Sequence, residues 1–180
     1  THDVCYQGMF FLEQSIKSQK PEGLKVFGAW PTIYEALSTN LPEKVKESWF
    51  SFDHYYSDNA FPEALPHVYK NKPKTLLDIG GNTGKWSLQS FAYDNDVKIT
   101  IMDLPGHVDT AKGVIEKNGY GNRISFYPLN VLDETKKFPT GFDAIWMSQF
   151  LDCFSDAQIV SILKRCKQAL NPGGSIYVLE

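Results

Sequence analysis

The sequence predicts an α/β protein: a mostly parallel sheet between two helical layers, preceded by a helical segment. Three observations carry this. From Thr75 onward, short apolar runs rich in β-branched residues alternate with stretches of helical periodicity, the pattern of a parallel sheet covered on both faces. The segment Leu76-Leu77-Asp78-Ile79-Gly80-Gly81-Asn82-Thr83-Gly84 reads as a buried strand that breaks into a glycine turn and then a helix. The next apolar run closes on a carboxylate, Asp103, and Pro105 stops it.

Strands are expected near residues 75–79, 97–102, 124–128, 144–148 and 175–179, and helices near 85–93, 107–118 and 156–170. The last helix has the fullest signature. Ser155 can cap it, Ile159, Ile162, Leu163, Cys166 and Leu170 recur at helical spacing, and Asn171-Pro172-Gly173-Gly174 ends it. Residues 1–74 show no strand pattern. Within them Leu41-Pro42-Glu43 opens a helix, with proline in the first turn and an acid favoured by the dipole. Val45, Trp49, Phe52 and Tyr56 form its apolar stripe, with Lys44, Lys46 and Glu47 facing away. The chain therefore divides into a helical segment, 1–74, and a ligand-binding α/β domain, 75–180.

Composition narrows the classes. The 180 residues suit one domain with a full core, and 42% hydrophobic with 14% aromatic content argues against disorder. A net charge of −3 without a basic block disfavours nucleic acid as a partner. No apolar run approaches the roughly 18 residues needed to span a bilayer, so no membrane partner is expected. Cys5, Cys153 and Cys166 lack CxxC spacing and read as reduced thiols of a cytoplasmic protein. No His, Cys, Asp and Glu set has metal-ligand spacing. His2, His67 and His107 read as structural, whereas His54 lies among aromatic residues.

The glycine turn admits several ligands. A phosphate loop needs four residues between its glycines and then Lys-Ser/Thr, but here three intervene and Lys85 is followed by Trp86. A dinucleotide fingerprint needs glycine where Asn82 stands, and Asp78 would repel a pyrophosphate. That carboxylate suits a ligand bearing an ammonium and a sulfonium. Asp103, about 20 positions past the turn, is placed to accept from ribose hydroxyls. An ordinary glycine turn and a turn-capping aspartate remain the plainer alternatives.

The ordered set of motifs resembles the S-adenosylmethionine (SAM)-dependent class I O-methyltransferases, in particular bacterial relatives of the plant caffeate and acetylserotonin enzymes. It runs from about Gly23 to Glu180. Its marks are Asp78 to Gly84, Asp103-Leu104-Pro105, Leu129-Asn130-Val131, Phe142-Asp143-Ala144-Ile145-Trp146-Met147, Phe154-Ser155-Asp156 and Leu170-Asn171-Pro172-Gly173-Gly174. The resemblance implies a Rossmann-like three-layer fold with SAM as cofactor. Asp78, Gly80, Gly81 and Gly84 would back its methionine part, Asp103 and Leu104 its ribose, Asn130 and Val131 its adenine, with Ser148 nearby. Asn130 replaces the family's usual aspartate, and Ser148 stands where plant relatives carry lysine. The aromatic cluster of Trp49, Phe52, His54 and Tyr56 would wall a planar acceptor.

One departure bears on chemistry. Where the family reads His-Asp-Trp-Ser-Asp, this chain has Asp152-Cys153-Phe154-Ser155-Asp156, so Asp152 takes the place of the catalytic histidine. Ordinary pKa values of about 6.5 for His and 3.9 for Asp make the exchange a loss of at most roughly 3.5 kcal/mol of proton-transfer driving force toward a phenol. The expectation is methyl transfer to a hydroxyl oxygen of a small aromatic molecule, with Asp152 as base facing Trp49, Phe52 and Tyr56. The alternatives are a SAM-binding regulatory relative without activity, or an NAD-dependent oxidoreductase. The resemblance further implies a homodimer, paired through a missing N-terminal domain, with sheet strands lying beyond Glu180.

Overall fold

The structure, a computed structural model, describes residues 2–37, 39 and 41–180. It divides into two compact units, residues 1–56 and 57–180, and the boundary falls inside one helix. The sequence division at 74/75 marks where strands begin. The structural division lies earlier because the last turns of that helix already pack with the sheet.

In the first unit, short helical turns at His2–Tyr6, Gly8–Phe11 and Glu22–Val26 accompany α1 (Leu12–Ser18), α2 (Ile33–Leu37) and the start of α3 (Glu43–Val68). Ala36, Leu37, Leu41 and Val45 form its core, with Leu24, Phe27, Trp30 and Trp49 packed around them. Asp3 ties the first turn to α3, accepting from Ser48 Oγ at 3.0 Å and pairing with Lys44 Nζ at 2.8 Å. Met9, Phe10 and Ile16 remain exposed.

Helix α3 runs through Pro62 and Pro66, both on its exposed side. Ser57, Phe61, Leu65 and Val68 are buried, spaced four, four and three residues apart, so they line one face of the helix. The expected stripe does not hold over its whole length. Val45 is buried and Trp49 partly so, but Phe52 and Tyr56 are exposed. The buried face is set by what it packs against, and that changes along the helix.

The second unit holds β1 (Thr75–Ile79), α4 (Lys85–Tyr93), β2 (Lys98–Asp103), α5 (Pro105–Lys117), β3 (Ile124–Pro128), β4 (Phe142–Ser148), α6 (Asp156–Ala169) and β5 (Leu170–Leu179). All strands run parallel in the order β3-β2-β1-β4-β5. The chain winds outward from β1 in both directions, which puts the switch in strand order between β1 and β4. Burial on both faces explains the near-continuous apolar runs of β1 and β4.

The sequence reading of strands 75–79 and 124–128 and of helix 85–93 agrees with the structure at both ends. The main difference lies before β5. The Asn-Pro-Gly-Gly segment was expected as a loop, but helix α6 ends at Ala169 and β5 starts at once at Leu170. Phe142 pairs with Leu170 and Ala144 with Ser175, so the segment is bulged within the strand. Asn171 Nδ2 secures it, donating to Asp143 Oδ1 at 2.8 Å. Asp143 Oδ2 also accepts from the amides of Lys74 and Thr75, joining the starts of β1 and β4.

Between helices and sheet, Trp86 of α4 stacks on Trp146 of β4 with ring centroids 3.8 Å apart and planes 10° from parallel. Phe61 of α3 meets Trp86 edge-on at 5.2 Å. Both indoles are 3% exposed, so three elements are held by one aromatic cluster. Trp86→Ala is expected to cost about 3–5 kcal/mol in urea unfolding, since a large buried ring leaves a cavity that closes only in part. Unfolding midpoints equal to those of the parent would show that the cluster does not hold the core.

Candidate functional site

The carboxyl ends of the strands form one rim, and the turn after β1 is built onto it. Gly80 N donates to Met102 O of β2 at 2.9 Å, and Gly84 N closes the turn on Gly81 O at 2.7 Å. Gly80 (φ +71°), Asn82 (φ +51°) and Gly84 (φ +79°) are all left-handed. Gly80 has a second constraint, because a Cβ there would lie 2.3 Å from the Phe150 ring. Backbone conformation and close approach both demand glycine at this position.

Asp103, at the end of β2, is 2% exposed. Its Oδ2 accepts from Asn82 N at 3.0 Å, and its Oδ1 accepts from Leu104 N at 2.7 Å. His107 Nδ1 lies 3.1 Å from the same Oδ1. An ionised carboxylate only accepts, so Nδ1 carries the hydrogen. The sequence reading treated His107 as a helix-starting residue and missed this pair; its signal was the four-residue spacing across the first turn of α5.

Asp78, in β1, is also 2% exposed and accepts from Ser87 Oγ of α4 at 2.8 Å. Burial pushes its carboxyl up to about 7, the Ser87 hydrogen bond offsets part of that, and the nearby Asp103 charge adds to the rise. The sequence reading set this carboxylate to face a cationic ligand. The structure places it beneath the turn, where a ligand would feel its charge through the loop.

At the end of β4, Ser148 Oγ is buried and makes no hydrogen bond among the described residues. Glu180 Oε1 accepts from the amides of Phe150 and Leu151 at 3.2 and 2.9 Å. It thereby holds the helical turn Leu151–Cys153, on which Asp152 is exposed. Helix α6 is capped by Ser155 and Gln158, Ser155 N donating to Gln158 Oε1 at 2.9 Å, so capping does not engage Asp152.

Beyond β3, Asn130 Oδ1 accepts from Leu132 N at 2.9 Å. Arg165 of α6 reaches under the same loop. Its guanidinium donates to Val131 O and, at 3.4 Å, to Asp133 O, and it stacks over the Phe138 ring at 4.4 Å. Neither Arg165 nor Glu180 was legible as a site residue, since each acts across about thirty residues of sequence.

The aromatic candidates lie in the first unit. Phe52 and Tyr56 meet edge-on at 5.0 Å and line, with Tyr55, Ser51 and Lys44, an open groove of about 680 Å³. Trp49 packs instead against the core of that unit, and His54 is half-buried outside the groove lining. Among the described residues there is no group of three metal-ligating side chains, and no helix is long and apolar enough to cross a membrane.

A parallel sheet of this order, with a glycine turn after β1 and a carboxylate ending β2, defines a doubly wound domain, the class of fold whose ligands lie at the carboxyl rim. The chain belongs to the O-methyltransferase domain family, whose model matches residues 12–180. It is 34% identical over 115 residues to norreticuline-7-O-methyltransferase of Papaver somniferum, covering 63% of this chain and 29% of that protein. It is 25% identical over 179 residues to demethylspheroidene O-methyltransferase of Cereibacter sphaeroides, covering 99% of this chain and 46% of that protein. The O-methyltransferase of neocarzinostatin biosynthesis, solved with SAM and 2-hydroxy-5-methyl naphthoic acid, shares the fold with a TM-score of 0.78 at 22% identity. That match covers 99% of this chain and 54% of the solved one. The chain thus spans less than half the length of these two curated relatives.

The buried Asp78 gives the domain a pH signature. Its folded pKa of about 7 lies above the ordinary value of 3.8, so folding favours the neutral form. The stability it contributes is fully present below about pH 4 and is lost as pH rises through 7. Asp78→Asn removes this loss and keeps an acceptor for Ser87. The variant is expected to match the parent at pH 4 and to exceed it by roughly 2–4 kcal/mol at pH 8. Equal denaturation midpoints at pH 8 would exclude a buried charge at this position.

Proposed function

We propose that the protein transfers a methyl group from SAM to a hydroxyl oxygen of a small aromatic molecule. The observation that carries the proposal is the glycine turn tied to Asp103 at the rim, in a chain of the O-methyltransferase family. The residues suit such a cofactor: Ser148 Oγ is a buried hydroxyl lacking a partner among the described residues, and the turn exposes backbone where an amino-acid tail can lie. Gly80, Gly81 and Gly84 would back the methionine part, with Asp78 beneath them as a carboxyl whose ionised form a bound cation would favour. Asp103 and Leu104 would hold the ribose, and Asn130 and Val131 the adenine. Asn130 Oδ1 is engaged by Leu132 N, so its amide would meet a base as a donor.

When bound, SAM supplies a methyl carbon on a positively charged sulfur, an electrophile with its leaving group already activated. The chain's task is to hold the acceptor oxygen in line with that carbon and close to it, which lowers the barrier by pre-paying orientation. Phe52 and Tyr56 would offer ring faces to a planar acceptor, and the solved neighbour holds a planar molecule of that kind, 2-hydroxy-5-methyl naphthoic acid. Trp49, packed on the core of the first unit, and His54, outside the groove lining, would act on the acceptor only through the Phe52 and Tyr56 rings. Asp152 would take the hydroxyl proton, its exposed turn braced by Glu180.

A second reading is favoured by one feature: Asp152 stands where the family resemblance implies a histidine, which suits a cofactor-binding regulator without activity. The two separate on measurement. Calorimetry of the intact protein is expected to give micromolar binding of S-adenosylhomocysteine, and Asp103→Ala to weaken it by about 1.5–3 kcal/mol. An unchanged dissociation constant in that variant removes Asp103 from the site. With a panel of phenols and SAM, methylated product is expected for the enzyme and none for the regulator. Asp152→Asn is then expected to keep cofactor affinity and lower turnover at least about a hundredfold. Turnover at the parent rate would strike Asp152 from the mechanism.

A further inference from the structure

Asp103 offers four acceptor positions on its two oxygens. Three are filled by the protein: the Leu104 amide and His107 Nδ1 on Oδ1, and the Asn82 amide on Oδ2. The side chain is also 2% exposed, so a ligand meets it along one narrow edge. His107 is itself 8% exposed and anchored in the first turn of α5, with Pro105 at the helix start fixing the approach. Its ring therefore cannot swing aside without opening the packed junction between β2 and α5.

We propose that His107 is a positioning residue that occupies Asp103 Oδ1 and so commits this carboxylate to a single ribose hydroxyl, received on Oδ2. The inference rests on the cofactor reading above and goes beyond it: a carboxylate with both oxygens open would grip both hydroxyls of a ribose, whereas this one reads one of them. Leu104 N fixes the carboxylate plane through the backbone, and His107 fixes it through a side chain that substitution can remove. Asparagine at 107 places an amide N–H where Nδ1 sits, so it preserves the donor with little change in reach.

The test uses the intact protein and three probes: S-adenosylhomocysteine and its 2′-deoxy and 3′-deoxy analogues, with binding read by calorimetry. The parent is expected to lose about tenfold in affinity for one deoxy analogue and less than about twofold for the other. His107→Leu is expected to bind S-adenosylhomocysteine about tenfold more weakly and to level the difference between the analogues, while His107→Asn keeps the parental pattern. In an Asp103→Asn background, His107→Leu is expected to add little. A parent that loses equally on both analogues overturns the inference, as does a folded His107→Leu protein with the parental pattern. Should the leucine variant fail to fold, the parent and His107→Asn profiles decide by themselves. A parent that binds none of the three probes overturns the cofactor reading, and the inference falls with it.

Discussion

The amide of Asn82 donating to the Asp103 carboxylate is the contact on which the ligand rim depends. It joins the turn after β1 to the end of β2, beside the backbone bond from Gly80 to Met102. The turn alternates left-handed residues at 80, 82 and 84. For Asn82 that conformation costs on the order of 1 kcal/mol, and the charge-assisted hydrogen bond offsets it. The tie adds a side-chain anchor to the backbone bond from Gly80 to Met102 in fixing the direction of the turn. The helix start at Lys85 follows from it.

The same corner concentrates negative charge out of water. Asp78 and Asp103 lie under and beside one loop, and burial first, with repulsion from the Asp103 charge adding to it, is why Asp78 tends to hold its proton. A cationic ligand over this loop would relieve that repulsion. An anionic one would add to it, which physically separates this site from a pyrophosphate cradle built on a similar sheet.

Much of the sheet was legible because β1, β2 and β4 are short, largely buried and each followed by a helix with its own start and stop signals. The loop and Asp103 were legible because glycine and a strand-ending acid mark special backbone locally. What stayed hidden depends on contacts between distant residues. Arg165 and Val131 are 34 positions apart, and Glu180 and Phe150 are 30 apart, so no window of sequence joins them. Helix α3 shows the same limit from another side. Its apolar spacing is regular, yet which residues are covered changes along its length, leaving Phe52 and Tyr56 exposed while Phe61 and Leu65 enter the core. The bulge within β5 escaped because Asn-Pro-Gly-Gly reads as a stop, and Asp143 on the neighbouring strand explains why it stays in the sheet.

Arg165 carries a consequence for how this domain can change. It grips the loop after β3 by backbone carbonyls, those of Val131 and Asp133, and anchors itself on the Phe138 ring. The grip is therefore blind to the side chains of Asn130 and Val131. Mutation can rewrite the side chains that the loop displays while α6 goes on holding its backbone through Arg165.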